Sequence, residues 1–518
     1  MIAAPSSFGG SISPSLRRAL ITVCVMMATI MQALDMTIAN VALPYMQGSL
    51  SATIDQVSWV LTSYIVAAAI MTAPVGWLSN RFGKKNFLIV CATGFTIASM
   101  LCGIAQNIEE MVMFRLMQGL FGAALVPLSQ SVMMDIYPFE QRGYAMSIWG
   151  MGVMLGPIMG PTLGGWLTDA YSWRWVFYVN LPFGIATVLG LIAFMTDTEE
   201  KRALPFDWLG FAALSIAIGS LQLMLDRGEQ LGWFGSAEIV GEACVAAAAF
   251  YIFLAHTFTT SRPFISIEIF LDRNFVIGLL FMFVVGILLL GSAALMAPYM
   301  QNVMGYPVFD AGLLLGTRGI GTMIAMMLVG RMIGKVEPRI LLTGGLIASV
   351  VSLYYSIDYS PDTSTWTFVW TSVLQGIGLG FMFVPLNTIA FATLPATLRT
   401  EGTAMWTLIR NLGSSIGVSI IIAELTNKTS MMHARLMENV TPFNQALADP
   451  SVSGILDPTT DVGRALLDNL VTQQATIIAY SNDFKLMTLI ALLSFPLILL
   501  IRPLPRAAPT EAAHAAMD

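Results

Sequence analysis

Along the 518 residues, apolar positions neither alternate nor recur every third or fourth place; they run on for about twenty residues at a time between short polar clusters. A helix rises about 1.5 Å per residue, so roughly 20 apolar residues cross about 30 Å of hydrocarbon. Runs of that length predict fourteen membrane-spanning helices, at 19–43, 57–79, 87–106, 111–134, 143–167, 175–195, 206–225, 237–258, 274–299, 309–333, 339–357, 366–391, 402–424 and 484–502. The pattern is that of an all-α polytopic membrane protein.

Composition agrees and narrows the chemistry. Charged residues are 11% of the chain and hydrophobic residues 56%, where a soluble domain carries about 25% charge. Cys24, Cys91, Cys102 and Cys244 fall within predicted spans, which argues against a disulfide framework. His256, His433 and His514 are scattered without metal-ligand spacing, and phosphate-loop and dinucleotide signatures are missing. No metal, cofactor or nucleic-acid partner is expected, and no ATP engine. Basic residues favour one side: Arg17, Arg18, Arg81, Lys84, Lys85, Arg142, Lys201, Arg202, Arg262, Arg273, Arg331, Lys335, Arg339, Arg399, Arg502 and Arg506 fall on the side of the amino terminus. By the positive-inside rule both termini are cytoplasmic, and Arg17-Arg18 before the first span reads as an uncleaved start-transfer anchor.

The two halves repeat. Pro44-Tyr45-Met46-Gln47 returns as Pro298-Tyr299-Met300-Gln301, an offset of 254 that Gly76 and Gly330 keep. Gln118-Gly119, Pro138, Arg142 and Trp149 return as Gln375-Gly376, Pro395, Arg399 and Trp406, at 257. Six spans and their loops use about 200 residues, so this offset leaves room for two helices outside the repeat. The reading is a six-helix bundle over 1–196, two extra helices and linkers over 197–273, and a second six-helix bundle over 274–518. The extra pair is expected to be peripheral. Segment 425–483 reads as a long outer loop, with 461–480 as a short amphipathic helix.

Gly76-Trp-Leu-Ser-Asn-Arg81-Phe-Gly83-Lys-Lys, between spans 2 and 3, resembles the signature loop of the major facilitator superfamily. Leu34-Asp35-Met-Thr-Ile-Ala-Asn40-Val-Ala-Leu-Pro44 and Trp173-Arg-Trp-Val-Phe-Tyr-Val-Asn-Leu-Pro182 are similar to strings of its 14-helix drug:proton antiporter branch, the EmrB-like exporters. Asn80 stands where the family often has an acidic residue, so no gating role is assigned to it. Read without the resemblance, Gly76 and Gly83 permit a tight turn and close helix approach, and the loop's cations face the cytoplasm or anchor topology. Gly152, Gly156, Gly160 and Gly164 lie four apart on one helix face, with Pro157 and Pro161 beside them. Small residues at that spacing let backbones meet. The face is either a passive packing groove or, as its resemblance to the family's antiporter motif implies, a hinge and seal where the halves meet.

Asp35 is the one carboxylate well inside a predicted span, and an ionisable group in hydrocarbon is a functional candidate by default. Asp35 lies roughly 24 Å from the cytoplasmic edge and Arg115 roughly 6 Å below the outer one, at matching depth. Neither has a counterpart in the second half, where the offsets lead to Leu289 and Ser372. The pair is read as the proton-coupling site, with a static salt bridge between spans 1 and 4 as the alternative. Gln32, Asn40, Gln118, Arg318, Asn387, Arg410 and Asn411 are candidate cavity liners, and the two arginines are suited to anionic or zwitterionic substrates or to structural pairing.

The resemblance implies a major facilitator fold that exports hydrophobic or amphipathic compounds from the cytoplasm across the inner membrane, with the proton gradient as energy source. It also implies a periplasmic adaptor protein leading to an outer-membrane channel. A proton-coupled uptake carrier or facilitator on the same fold is the rival. A membrane enzyme needs clustered His, Asp or Glu, and a sensor needs a soluble output domain; the chain offers neither.

Overall fold

A computed structural model describes residues 13–138, 141–196, 205–261, 263–441, 456 and 459–502. All its regular elements are helices, and their ends follow local chemistry. Ser13 accepts from the Leu16 amide and Pro14 takes the first turn of α1 (Pro14–Ser49), where a missing N–H costs nothing. A Thr53–Gln56 capping box opens α2 (Ile54–Thr72). The chain then bends by 60° into α3 (Val75–Phe82) and turns at Gly83, whose φ of 85° suits glycine. The N-terminal half continues through α4 (Lys84–Ile104), α5 (Ile108–Gly122), α6 (Leu125–Ile136), α7 (Arg142–Ala170), α8 (Trp175–Tyr178) and α9 (Asn180–Phe194). The extra pair is α10 (Trp208–Leu231) and α11 (Ala237–Thr259). The C-terminal half comprises α12 (Arg273–Pro298), α13 (Val308–Met332), α14 (Pro338–Ser356), α15 (Thr365–Ala392), α16 (Arg399–Met437), α17 (Asp461–Leu493) and α18 (Phe495–Leu500).

Among the described residues, 12 helical segments are long and apolar enough to cross a membrane, or up to 13 if α2 and α3 form one bent span. The remaining predicted span is α7, whose glycines dilute its hydropathy. The sequence repeat falls on matching helix positions: α1 and α12 each carry a proline near the end away from the signature loop, Pro44 and Pro298.

The halves meet along α7 and α13. There Gly143 meets Ile333, Gly330 meets Ser147, Gly150 meets Met326 and Gly319 meets Ile158. Buried contacts at the signature-loop end continue the seam. Gln130 donates to Asn387 at 2.5 Å, Ser131 and Thr400 share a hydrogen bond of 3.0 Å, and Trp149 stacks on Phe383 at 5.9 Å. Asp135 bridges the halves, 2.6 Å from Lys84 and 3.5 Å from Arg399. The molecule is therefore closed at the signature-loop end.

Three expectations need correction. The Gly152, Gly156, Gly160 and Gly164 face does not lie where the halves meet. It packs on α1 inside the N-terminal half, against Met26, Ala33, Thr37 and Ile38, and Thr37 Oγ1 donates to the Gly156 carbonyl at 3.0 Å. The side chains of Pro157 and Pro161 lie outside the described residues. Of the extra pair, α11 packs on α10 and turns much of its surface outward, but α10 wedges against α2 and α16, where Ser419 Oγ donates to the Leu225 carbonyl at 2.9 Å. Lastly, of the segment expected as a long outer loop over 425–483 with a short helix at 461–480, residues 425–437 continue α16, and the helix at 461–480 forms but runs on unbroken to Leu493; residues 442–455, 457 and 458 lie outside the described residues. With 39 and 33 residues, α16 and α17 extend roughly 58 and 50 Å, well beyond about 30 Å of hydrocarbon. His433 and Asp468, 2.9 Å apart, tie their projecting ends together.

Candidate functional site

Helix α1 presents two faces of different chemistry. On the inner face Asp35 is fully buried. Its Oδ2 accepts from Arg115 Nη1 at 2.7 Å, and its Oδ1 accepts from Gln118 Nε2 at 2.8 Å and Asn180 Nδ2 at 3.0 Å. Arg115 also donates through Nη1 to Gln118 Oε1 at 2.7 Å and through Nε to the Val60 carbonyl at 3.0 Å. Its guanidinium lies over the Tyr64 ring, 4.4 Å from the centroid, and near Phe177 at 5.6 Å. Asn180 is held by Ser99 Oγ at 3.0 Å, which itself donates to the Phe177 carbonyl at 2.8 Å. Two opposite charges shut away from water are tolerated because each has hydrogen bonds beyond the ion pair. The cluster draws on α1, α2, α4, α5, α8 and α9, so it ties six helices together.

On the other face of α1, Gln32 and Met36 line a cleft with Ile65, Ala68 and Thr72 of α2, Ala123, Val126, Gln222 of α10, Leu290 of α12, and Thr407, Leu408, Arg410, Asn411, Leu412, Ser414 and Ser415 of α16. Both halves and one extra helix contribute. Arg410 is the sole charged residue in this lining; it makes long contacts with its neighbour Asn411, at 3.3 and 3.4 Å. The walls join the buried cluster through Gln32, whose Nε2 reaches the Tyr64 hydroxyl at 3.4 Å.

The structure thus brings Asp35, Arg115 and Gln118 together, and places Gln32, Arg410 and Asn411 on the cleft. It takes three other expected liners elsewhere. Asn40 is exposed, because a helix turns about 100° per residue and five steps carry it off the Asp35 face. Arg318 donates to Ser292 Oγ at 2.7 Å, held between α12 and α13. Asn387 is spent on Gln130 and the Phe383 carbonyl. Gly76 sits on the Glu401 backbone at the head of α16, where a Cβ would crowd it, and Arg81 is exposed at the end of α3. Sequence reading missed Tyr64, Ser99, Gln130, Asn180 and Gln222. Asn180 had a signal, since it lies inside the Trp173–Pro182 string.

Comparison with known proteins decides the family. The profile of the Major Facilitator Superfamily matches residues 25–420. The multidrug export protein EmrB of Escherichia coli (strain K12) is 36% identical over 490 residues, covering 93% of this chain and 95% of that protein. This chain belongs to the major facilitator superfamily. The fatty acid resistance protein FarB of Neisseria gonorrhoeae is 32% identical over 488 residues, 93% of this chain and 96% of its own. Among solved structures, the human organic anion transporter MFSD10 (TETRAN) aligns with a TM-score of 0.57 at 12% identity over 93% of this chain and 100% of that one. The proton:xylose symporter XylE gives 0.57 at 14% identity over 92% and 95%. At such identities these two speak for the fold alone. As a superfamily member of the EmrB-like group, the chain is a multi-pass membrane transporter and not an enzyme.

Proposed function

We propose that this transporter exports amphipathic compounds from the cleft in exchange for protons bound at Asp35. The observation that carries the reading is the run Gln32, Tyr64, Arg115, Asp35, which joins the cleft wall to a buried carboxylate through contacts of 3.4 Å, 4.4 Å and 2.7 Å. Protonation of Asp35 removes the charge that holds Arg115, so α1 and α5 lose their strongest tie. Tyr64, released from the guanidinium, passes that change to Gln32 and the substrate. The reverse also holds, because coupling between two sites is reciprocal. Closure at the signature-loop end supports reading this arrangement as the state that faces outward, with both termini in the cytoplasm and the inner membrane of a bacterium as location.

The charge of the cleft bears on substrates. Its one ionic side chain is a cation and the remaining walls are apolar or neutral, which favours neutral drugs and lipophilic weak acids over lipophilic cations. The relation to FarB, a fatty acid resistance protein, points the same way. The projecting ends of α16 and α17 are the surface we assign to a periplasmic adaptor leading to an outer-membrane channel. Transport in inverted vesicles with an imposed pH gradient tests the exchange. Accumulation of weak acids and neutral drugs that collapses with the gradient is expected; accumulation indifferent to the gradient would overturn it.

A further inference from the structure

The C-terminal half has a carboxylate that exchange at Asp35 leaves unused. Asp483 of α17 is fully buried, and neither of its oxygens has a hydrogen-bond partner among the described residues. Asp35, by contrast, meets three donors.

The groups around Asp483 offer little to hold a negative charge. Helix α16 presents Glu424 and Lys428, and these pair with each other at 3.4 Å, so the ammonium is already engaged. Lys485 on its own helix is exposed. Helices α12 and α14 carry their only charged side chains, Arg273 and Arg339, at their signature-loop ends, far along the bundle. Its neighbours on α17 pack among aromatic rings. Tyr480, one turn away, packs its ring 5.1 Å from Tyr299, and Phe484 packs 5.6 Å from Tyr359. The Tyr359 hydroxyl meets Thr371 at 2.5 Å, whereas the buried Tyr299 hydroxyl has no partner among the described residues. Tyr299 opens a π-helical turn, Tyr299–Val303, at the end of α12, an irregularity that recurs at functional positions. A bare carboxylate in such surroundings is strongly disfavoured, and the neutral acid is what can be buried there. A bound divalent cation is a poor alternative, since calcium and magnesium take six or more oxygen ligands, and among the described residues no group of three or more acidic, histidine or cysteine side chains gathers here.

Depth adds a second argument. Asp483 lies 17 residues before Leu500 and Asp35 lies 17 residues after Arg18, each roughly 26 Å from the signature-loop side. Asp483 and Asp35 thus stand at similar distances along their helices from that side, and of the acids at this end of the C-terminal half Asp483 is fully buried, whereas Glu424 is paired with Lys428.

We propose that Asp483 is a second proton-binding site of the transport cycle, carrying its proton as the neutral acid in this closed arrangement. The proton comes from water on the outer side and returns to water after the halves reorient, so no other reactant is needed. The proposal rests on the proton-exchange reading, and its test separates the two. Infrared spectra of the full chain in lipid nanodiscs at neutral pH should contain the carbonyl stretch of a neutral carboxylic acid. That band should be lost in Asp483→Asn and kept in Asp35→Asn. Asp483→Leu is the second variant, because an apolar side chain suits an unpaired, aromatic-lined position. In proteoliposomes, protons moved per substrate should fall by about half in either Asp483 variant. A band unaffected by Asp483→Asn overturns the proposal. So does an unchanged proton count, which leaves Asp483 a static packing group. If the parental chain moves no protons with substrate, the exchange reading fails, while the infrared band still decides the state of Asp483.

Discussion

Gln130 and Asn387 are 257 residues apart, which is the offset of the internal repeat, and they bond to each other across the seam between the halves at 2.5 Å. Equivalent positions of the two repeats thus meet near the axis that relates them. Both side chains are buried, so the bond forms only while the signature-loop end is closed. Gln130→Leu should strand Asn387 Oδ1 and weaken closure by about 1–3 kcal/mol. Spin labels at the ends of α6 and α15 should then show a larger open population. Gln130→Leu with Asn387→Leu together should restore much of the closed state, because neither position then buries a polar group.

Removing Arg115 alone should cost more than removing the whole ion pair. Arg115→Ala leaves a buried charge uncompensated, a loss of about 3–5 kcal/mol, whereas Arg115→Ala with Asp35→Asn leaves none. Thermal unfolding of the purified proteins should place the double variant above the single one. A single variant as stable as the parent would mean that Asp35 is neutral in this state.

Asp35→Asn keeps the shape and the contacts to Gln118 and Asn180 but cannot exchange a proton. Efflux against a gradient should fall to near background, while substrate binding, followed by fluorescence quenching, should persist. Parental export rates in this variant would remove Asp35 from the mechanism.

Two glycines of α7 should behave oppositely. At Gly156 a new side chain would strike the Ala33 backbone, two residues from Asp35, whereas at Gly165 the nearest atom is Val41 Cγ1 at 4.0 Å. Gly156→Leu should displace α1 and abolish coupled export; Gly165→Leu should transport nearly as the parent does. Membrane insertion should survive in both, since leucine adds hydrophobicity.

Arg410→Gln removes the charge from the cleft and keeps its hydrogen bonding. The KM for lipophilic weak acids should rise several-fold, with neutral drugs little affected. Equal effects on both classes would assign Arg410 to packing.

Much of the architecture was legible because a bilayer imposes simple lengths. The spans, the repeat offset and the lone charged pair needed only hydropathy, spacing and depth along a helix. The wrong placements share a cause: rotation about a helix axis and the choice of neighbour are not written in spacing. The glycines at 152, 156, 160 and 164 announce a close helix contact, yet do not say with which helix, and the partner is α1 instead of α13. Asn40 and Asn387 are polar and within spans, but one turns outward and the other is consumed by Gln130.

The sequence by itself determined an all-helical membrane transporter with an internal repeat, with Asp35 and Arg115 at matching depth, because crossing hydrocarbon forces apolar length and makes a charge in the middle of a span conspicuous. Tertiary structure alone decided that Asn180 and Tyr64 complete the Asp35 cluster, that α10 wedges between α2 and α16, and that Asp483 is sealed without a partner. Those facts depend on which helix faces meet across hundreds of residues. Apolar faces of similar chemistry can pair in many ways until shape and hydrogen bonding select one.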